Sequence, residues 1–483
     1  MLNRRFDLWL PDYIASAPSR ALARWRRRGQ LTHIMFLVCD HFEPRHAVGD
    51  EDQPRRRMQA WRSGYANLQQ RCKDAFGTAP LHSWFYPPHH GTEHLASLAE
   101  FAHAGLGEIE LHYHHDGDTD ETLRRDLRAT IDEYNAWGLL LQHGHPPSTA
   151  FGFIHGDWAL NNSCGGKYCG VNDEISILRD LGCWADLTMP SGNRCQTRKI
   201  NSIYYGVGDA ARPKAHDRGP DARVGAADPA GLMLMQGPLA INWRAPRHPR
   251  PENASLTTNN WGRPDRVPVW LDCNIHVKGR PDWLFVKLHT HGAIERDFDG
   301  LFGEKAFALH RTLNEQYNDG RRYRLHYVTA REAYNIAKAA EDGKSGDPSQ
   351  WRDYRVGAPV TRYYALDARH RVTACSEADL AIGSIESHDG TTLRTGIGAF
   401  AAYRGPLAHI EIGQGGRVIR LQSRQPHAEL ALTPRGEGRV ELLGAEWVVP
   451  PRAGDAARLR TGASGECELR VEAAAPALSE GLA

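Results

Sequence analysis

The sequence predicts an α/β fold of seven or eight βα units, a parallel barrel or strongly curved parallel sheet, followed by a small all-β domain. Three observations carry this expectation. Short apolar runs at 33–40, 81–86, 107–114, 149–155, 183–189, 232–242, 282–289 and 322–328 alternate with helical patterns at 55–73, 92–104, 119–137, 172–181, 303–317 and 330–340, the order of a βα repeat. The run at 34–39 is unbroken, as a strand is when helices cover both its faces. After about residue 360 the helical periodicity stops. Alternating segments at 408–412, 417–421 and 439–443 take its place, divided by Gly-rich turns such as Gly413-Gln414-Gly415-Gly416.

Size sets the division of the chain. Single cores stop growing near roughly 250–300 residues, so 483 residues predict a barrel domain over 1–340, a polar linker over 341–359 and a β-sandwich over 360–475. The Ala-rich tail after about residue 470 is expected to fray. Within the first part, Leu123, Leu127, Ile131 and Tyr134 share one face of the 119–137 helix, with Asp118 and Glu121 as a capping-box-like start. The Gly-, Pro- and Arg-rich stretch 190–230 reads as a long loop over the active face.

Composition narrows the partners. Lys+Arg 59 against Asp+Glu 58 gives no field to attract nucleic acid or an anionic membrane, and Arg24-Trp25-Arg26-Arg27-Arg28 reads as a solvated face. Nine scattered cysteines do not suggest a disulfide framework, and Cys164, Cys169 and Cys195 lack the spacing of a zinc finger. Without a signal-peptide core in residues 1–30 or an apolar run of the roughly 18 residues a membrane span needs, the expectation is a cytoplasmic protein with no integral membrane segment.

The chemistry is expected where the strands stop, because polar groups there reach the ligand-binding face of α/β folds. Asp40 and His41 end the first apolar run. In 108–119, alternation puts Glu110, His112 and His114 on one strand face, and Asp116 follows at the turn. Two imidazoles two residues apart can close on one ion with Asp116 adding an oxygen, a donor set for Zn²⁺ that Mn, Fe, Co or Ni also accept. A solvated strand end is the alternative. Lys287, His289 and His291 repeat the pattern, and a histidine there that holds no metal can serve as a general acid. His155, Asp157 and Trp158 combine hydrogen-bonding groups with an aromatic face, the composition of a sugar-binding surface, although Trp158 could equally pack in a core. Asp186 is an orienting carboxylate or a turn cap.

In this order, the segments around Asp40-His41, 108–116, 153–160, 178–186 and 286–289 resemble the polysaccharide deacetylase family, the NodB-homology or carbohydrate esterase family 4 type of the glycoside hydrolase/deacetylase barrel superfamily. The resemblance covers about residues 30–340 and implies a distorted (β/α)7–8 barrel. It implies Asp40 as catalytic base and His289, or His291, as general acid. His41 stands where the family has a second aspartate, and Asp116 where it has the second histidine of its His-x3-His motif. The implied metal site is therefore His41, His112 and Asp116, with His114 competing. The third motif keeps no arginine and reads His155-Gly156-Asp157-Trp158.

The expected activity is that of a metal-dependent carbohydrate deacetylase, a hydrolase of linear amide C–N bonds, with Zn²⁺ or another divalent transition metal. Its substrate would be an N-acetylated, or O-acetylated, sugar of an exopolysaccharide or glycoconjugate, and a cytoplasmic setting favours a lipid- or nucleotide-linked precursor. One alternative is a glycoside hydrolase drawing two carboxylates from Asp40, Glu43, Glu110 and Asp157. The other is a non-catalytic carbohydrate-binding protein of a polysaccharide biosynthesis locus.

Overall fold

The computed structural model describes residues 5–103, 105–142, 148–226, 230–245, 249–359, 362–366, 372–375, 385–388, 392–395, 399–413, 418–434, 439–452 and 455–471. The chain divides into two compact units: 1–94, 106–130 and 149–357 form the first, and 95–105, 131–148 and 358–483 the second.

The first unit is built on a nine-stranded sheet. Its strands are β1 (Thr32–His41), β2 (His82–Tyr86), β3 (Gly107–Tyr113), β4 (Phe151–His155), β5 (Cys183–Asp186), β6 (Ile203–Gly206), β7 (Leu232–Met235), β8 (Trp283–Thr290) and β9 (Tyr323–Tyr327). The order is β8-β1-β2-β3-β4-β5-β7-β6. All neighbours run parallel except β6, which is antiparallel to β7. β1 is central, and all ten of its residues are buried. One edge pairs with β8 along most of its length. The other edge forks, pairing with β9 over Thr32–Phe36 and with β2 over Cys39–His41.

The parallel sheet is as expected, but closure into a barrel is not seen. Among the described residues no hydrogen bonds join the end strands β8 and β6. The backbone of 254–256 covers the free edge of β8 instead, through His289 N–H to Ala254 O (3.0 Å) and Leu256 N–H to His289 O (2.7 Å). The stretch 190–230 is also more than a loop. Its Ile203-Tyr204-Tyr205 supplies β6, because even four residues pair when their side chains are buried.

The helices follow their apolar periodicity. Gln53–Arg71 buries Met58, Trp61, Tyr65 and Leu68, spaced three, four and three apart on one face. At Asp120–Ala136 the start is made by Thr119, whose hydroxyl accepts the Thr122 N–H (3.3 Å), instead of the expected Asp118/Glu121 pair. The reciprocal capping box belongs to Ala330–Glu341, between Thr329 and Glu332. Beyond that helix the expected linker packs back: the Asn335 amide accepts Arg355 and Val356 N–H groups and donates to Arg352 and Val356 carbonyls. Residues through Gly357 therefore belong to the first unit.

The second unit contains two antiparallel six-stranded sheets. One includes Leu407–Gly413 and Val418–Ser423, paired antiparallel with Gly413 opposite Val418; the turn residues 414–417 lie outside the described residues. Ile410, Ile419, Leu421 and Leu469 from one sheet share a core with Tyr403, Leu430, Leu432 and Leu459 from the other, the arrangement of a sandwich. The tail beyond 471 also lies outside the described residues.

Candidate functional site

β1 brings Asp40 and His41 to its C-terminal end, with Glu43 two residues further on. Asp40 is fully enclosed at 0% exposure. Its Oδ1 accepts the Gly292 N–H at 2.6 Å, and its Oδ2 lies 2.9 Å from His82 Nε2. A Cβ on Gly292 would run into this carboxylate and into Trp61, so only glycine lets the chain after β8 approach so closely. Both Asp40 oxygens are thus committed to the protein.

β3 supplies the centre of the site. His112 Nδ1 lies 2.9 Å from the Ile154 carbonyl oxygen, which can only accept. Nδ1 therefore donates to it, and Nε2 is the nitrogen that faces the site. His114 Nδ1 lies 3.3 Å from Asp157 Oδ2, so this ring has a carboxylate at each nitrogen. The two Nε2 atoms then face each other at 3.0 Å, and Glu43 Oε1 lies 3.0 Å from that of His114 and 3.6 Å from that of His112. Two imidazole nitrogens and a carboxylate converging on one point need a cation or a proton between them. Burial works against the Glu43 charge, but hydrogen bonding to His112 and His114 outweighs it and holds the carboxyl well below its usual range. Burial likewise opposes His114 protonation, and Glu43 with Asp157 reverses the sign to leave this imidazole raised.

Around this cup stand His89, with its ring centroid 5.0 Å from that of His114, three further imidazoles and an indole. The His41 ring centroid is 4.8 Å from that of His112, 4.7 Å from His291 and 6.2 Å from His289. Burial, reinforced by the neighbouring imidazoles, lowers the His41 pKa far below the ordinary value. His289 and His291 are lowered too, again chiefly by burial. These rings are neutral at neutral pH. His41 Nε2, His289 Nδ1 and Trp158 Nε1 are buried without a hydrogen-bond partner among the described residues. The Trp158 ring sits 5.7 Å from His41 and 5.9 Å from His291, forming a wall of the cup.

The structure thus gathers Asp40, His41, His112, His114, Asp157, Trp158, His289 and His291 at one end of the parallel sheet, and three other candidates go elsewhere. Asp116 is exposed, and its Oδ1 accepts the Tyr168 N–H at 2.7 Å. β3 ends at Tyr113, three residues before Asp116, and beyond the strand the carboxylate is held by the loop at Tyr168 instead of by the strand face that carries His112. Asp186 is buried, with both oxygens accepting from Thr188, at 2.6 Å from the hydroxyl and 3.2 Å from the N–H. His155 faces His115 and Glu174 across a separate cluster. Glu43 takes the place expected for His41 and Asp116 among the converging donors: the group close enough to share an ion is Glu43, His112 and His114. A signal for it was present, since Glu43 follows His41 by two residues, as His114 follows His112. His82 gave none beyond opening an apolar run.

No family model matches the chain, and no curated protein matches it. Among solved structures it is similar to a chain from Parabacteroides distasonis provisionally named a glycoside hydrolase/deacetylase, at 8% identity over 84% of each chain and a TM-score of 0.33. A likeness at that level establishes neither fold nor activity.

Proposed function

We propose that this chain is a metal-dependent hydrolase that removes the acetyl group from an N-acetylated, or O-acetylated, sugar. The observation that carries this reading is the convergence of Glu43, His112 and His114. Two imidazoles and one carboxylate with one side open is a donor set used by catalytic zinc, which keeps a fourth position for water or substrate. Both rings are oriented from behind, His112 by a carbonyl and His114 by a carboxylate, as metal-ligating histidines are. When bound, the ion supplies a Lewis acid and brings the pKa of water to roughly 7.

The chain's own residues do the rest. Asp40 holds the Gly292 N–H and so positions the loop carrying His291; this reading makes Asp40 a positioning residue in place of the expected base. His291 accepts a proton from the attacking water and returns it to the leaving nitrogen as the C–N bond breaks, giving acetate and a free amine. Trp158 offers its ring to an apolar sugar face and its N–H to a hydroxyl. The ordered resemblance to polysaccharide deacetylases supports the acetylated-sugar substrate. A glycosidase needs two carboxylates facing each other across the scissile bond. Here Glu43 and Asp157 both engage His114, which favours the deacetylase. Among the described residues no helix is long and apolar enough to cross a membrane.

The test is acetate release, with mass spectrometry of the product, from acetylated chito- and exopolysaccharide fragments by zinc-loaded wild type and His114→Ala. Loss of acetyl from intact oligosaccharide by wild type alone is the expected result. Chain cleavage without acetate, or a metal-loaded protein that releases none, overturns the reading.

A further inference from the structure

We propose that His115, His155, Cys169 and Glu174 form a second metal site, closed and structural, that takes zinc. Their donor atoms all lie within 4.8 Å of one another. The Nε2 atoms of His115 and His155 are 2.9 Å apart, and Glu174 Oε1 is 3.3 Å from the first and 3.4 Å from the second. Two nitrogens at ~2.0 Å from one tetrahedral zinc stand about 3.3 Å apart, so the spacing is close to that of a formed site. The fourth donor, Cys169 Sγ, lies 3.7 Å from Glu174 Oε2.

The groups behind the rings point the same way. His115 Nδ1 lies 2.9 Å from Asp118 Oδ2, and His155 Nδ1 faces the Gly156 carbonyl. Each ring has an acceptor behind its outer nitrogen, and the two Nε2 atoms and the Glu174 carboxylate point inward. A carboxylate and a carbonyl behind the two rings are the partners that orient zinc-bound histidines. All four side chains are buried. A thiolate, two imidazoles and a carboxylate with no open position is a structural zinc set. A third histidine group differs on this point: in His33, His326 and Asp347 the carboxylate already holds the Arg324 guanidinium at 3.0 Å.

The four ligands come from separate places: the ends of β3 and β4, the loop after β4, and the first turn of Glu174–Asp180. That loop is mostly irregular, with left-handed backbone at Asp157, Trp158, Asn161, Asn162 and Tyr168. An ion held at Cys169 and Glu174 ties its far end to the sheet. The same loop carries Asp157 and Trp158 to the first cup, so the second ion would shape the first site without touching substrate.

Elemental analysis and cobalt substitution of the full chain test this. Wild type should hold about two metal equivalents. His112→Ala should lose one, and Cys169→Ser the other. After chelation and reloading with Co²⁺, wild type, His112→Ala and Cys164→Ser should show a thiolate-to-cobalt charge-transfer band in the near ultraviolet that Cys169→Ser lacks. A single equivalent that disappears in His112→Ala, with no thiolate band in wild type, overturns the second site and leaves the first standing. If Cys169→Ser does not fold, zinc-edge X-ray absorption of wild type decides. A sulfur neighbour supports the proposal, and a shell of nitrogen and oxygen alone overturns it.

Discussion

His114 and His115 are consecutive in the chain, yet they serve two different clusters. His114 turns to Glu43 and His112 and keeps 29% of its side chain exposed, whereas His115 turns to His155 and Glu174 with 3% exposed. Alternation along an extended segment puts neighbours on opposite faces, so one strand end feeds both. Each cluster has two imidazoles whose outer nitrogens are held from behind and whose inner nitrogens meet a glutamate. The difference is the fourth direction. Around His115 it is closed by Cys169. Around His114 and His112 no fourth donor closes it among the described residues, and the neighbouring rings are His89 beside His114 and His41 beside His112. Closed four-donor sites hold a structure together, while three-donor sites with a vacant side can do chemistry, and this chain offers both within two residues.

The comparison can be broken most severely at the open cluster. His114→Ala should lower kcat/KM for acetate release by about 10³-fold, since a Lewis acid contributes several kcal/mol to the transition state. The melting temperature should barely move, because the side chain is partly exposed. Steady-state kinetics beside thermal unfolding measures both, and a large stability loss would contradict the division of labour.

The closed cluster rests on Asp186. Thr188 Oγ1 accepts the His155 N–H at 2.9 Å and donates to Asp186 Oδ2. Burial pushes the Asp186 carboxyl up to about 7, Thr188 and Lys287 opposing the rise. Its unfolded value is near ~3.9. The folded value being higher, its stability contribution is complete below about pH 4 and is lost as pH rises through 7. Wild type should therefore lose roughly 2–4 kcal/mol relative to Asp186→Asn between pH 5 and pH 8, read by denaturant unfolding. Parallel pH profiles for the two proteins would refute this.

Gly156 lies where the clusters meet. A Cβ there would strike the His114 ring, and its carbonyl faces His155. Gly156→Ala should cost about 1–3 kcal/mol of overpacking and weaken both sites together; metal titration that shows only one affected would separate them. The smallest effects are expected behind the rings. Asp157→Asn should weaken metal binding at the open cup, and Asp118→Asn at the closed one, by about 10–100-fold each. Competition with a chelator measures both sites, and each variant should weaken its own site more than the other, which it reaches only through the shared loop.

Much of the layout was legible. The apolar run through Cys39 marked β1 and placed Asp40 and His41 at its end, and the period-two spacing of His112 and His114 put both rings on one face. The local pattern could not say how far the chain turns after a strand stops. Asp116 was drawn to the His114 cluster by proximity in sequence, but it lies beyond the end of β3 and accepts the Tyr168 N–H, and Glu43 fills its place from the segment after β1. His155 read as a sugar contact because its partners, His115, Cys169 and Glu174, lie 14 to 40 residues away along the chain. The parallel sheet was legible and its closure was not, for a related reason: whether the end strands of a sheet meet depends on accumulated twist and on segments such as 254–256 that occupy an edge, and no strand's own composition records either.

The periods of the apolar positions marked most strands and helices of the first unit, though not β6, and showed which polar residues stand at strand ends. Only the tertiary structure decided which of them share a cup. Strand order brings residues distant in sequence within a few ångströms, and the carbonyls and carboxylates behind each ring set where its lone pair points. Donor type is written locally, whereas convergence belongs to the folded chain.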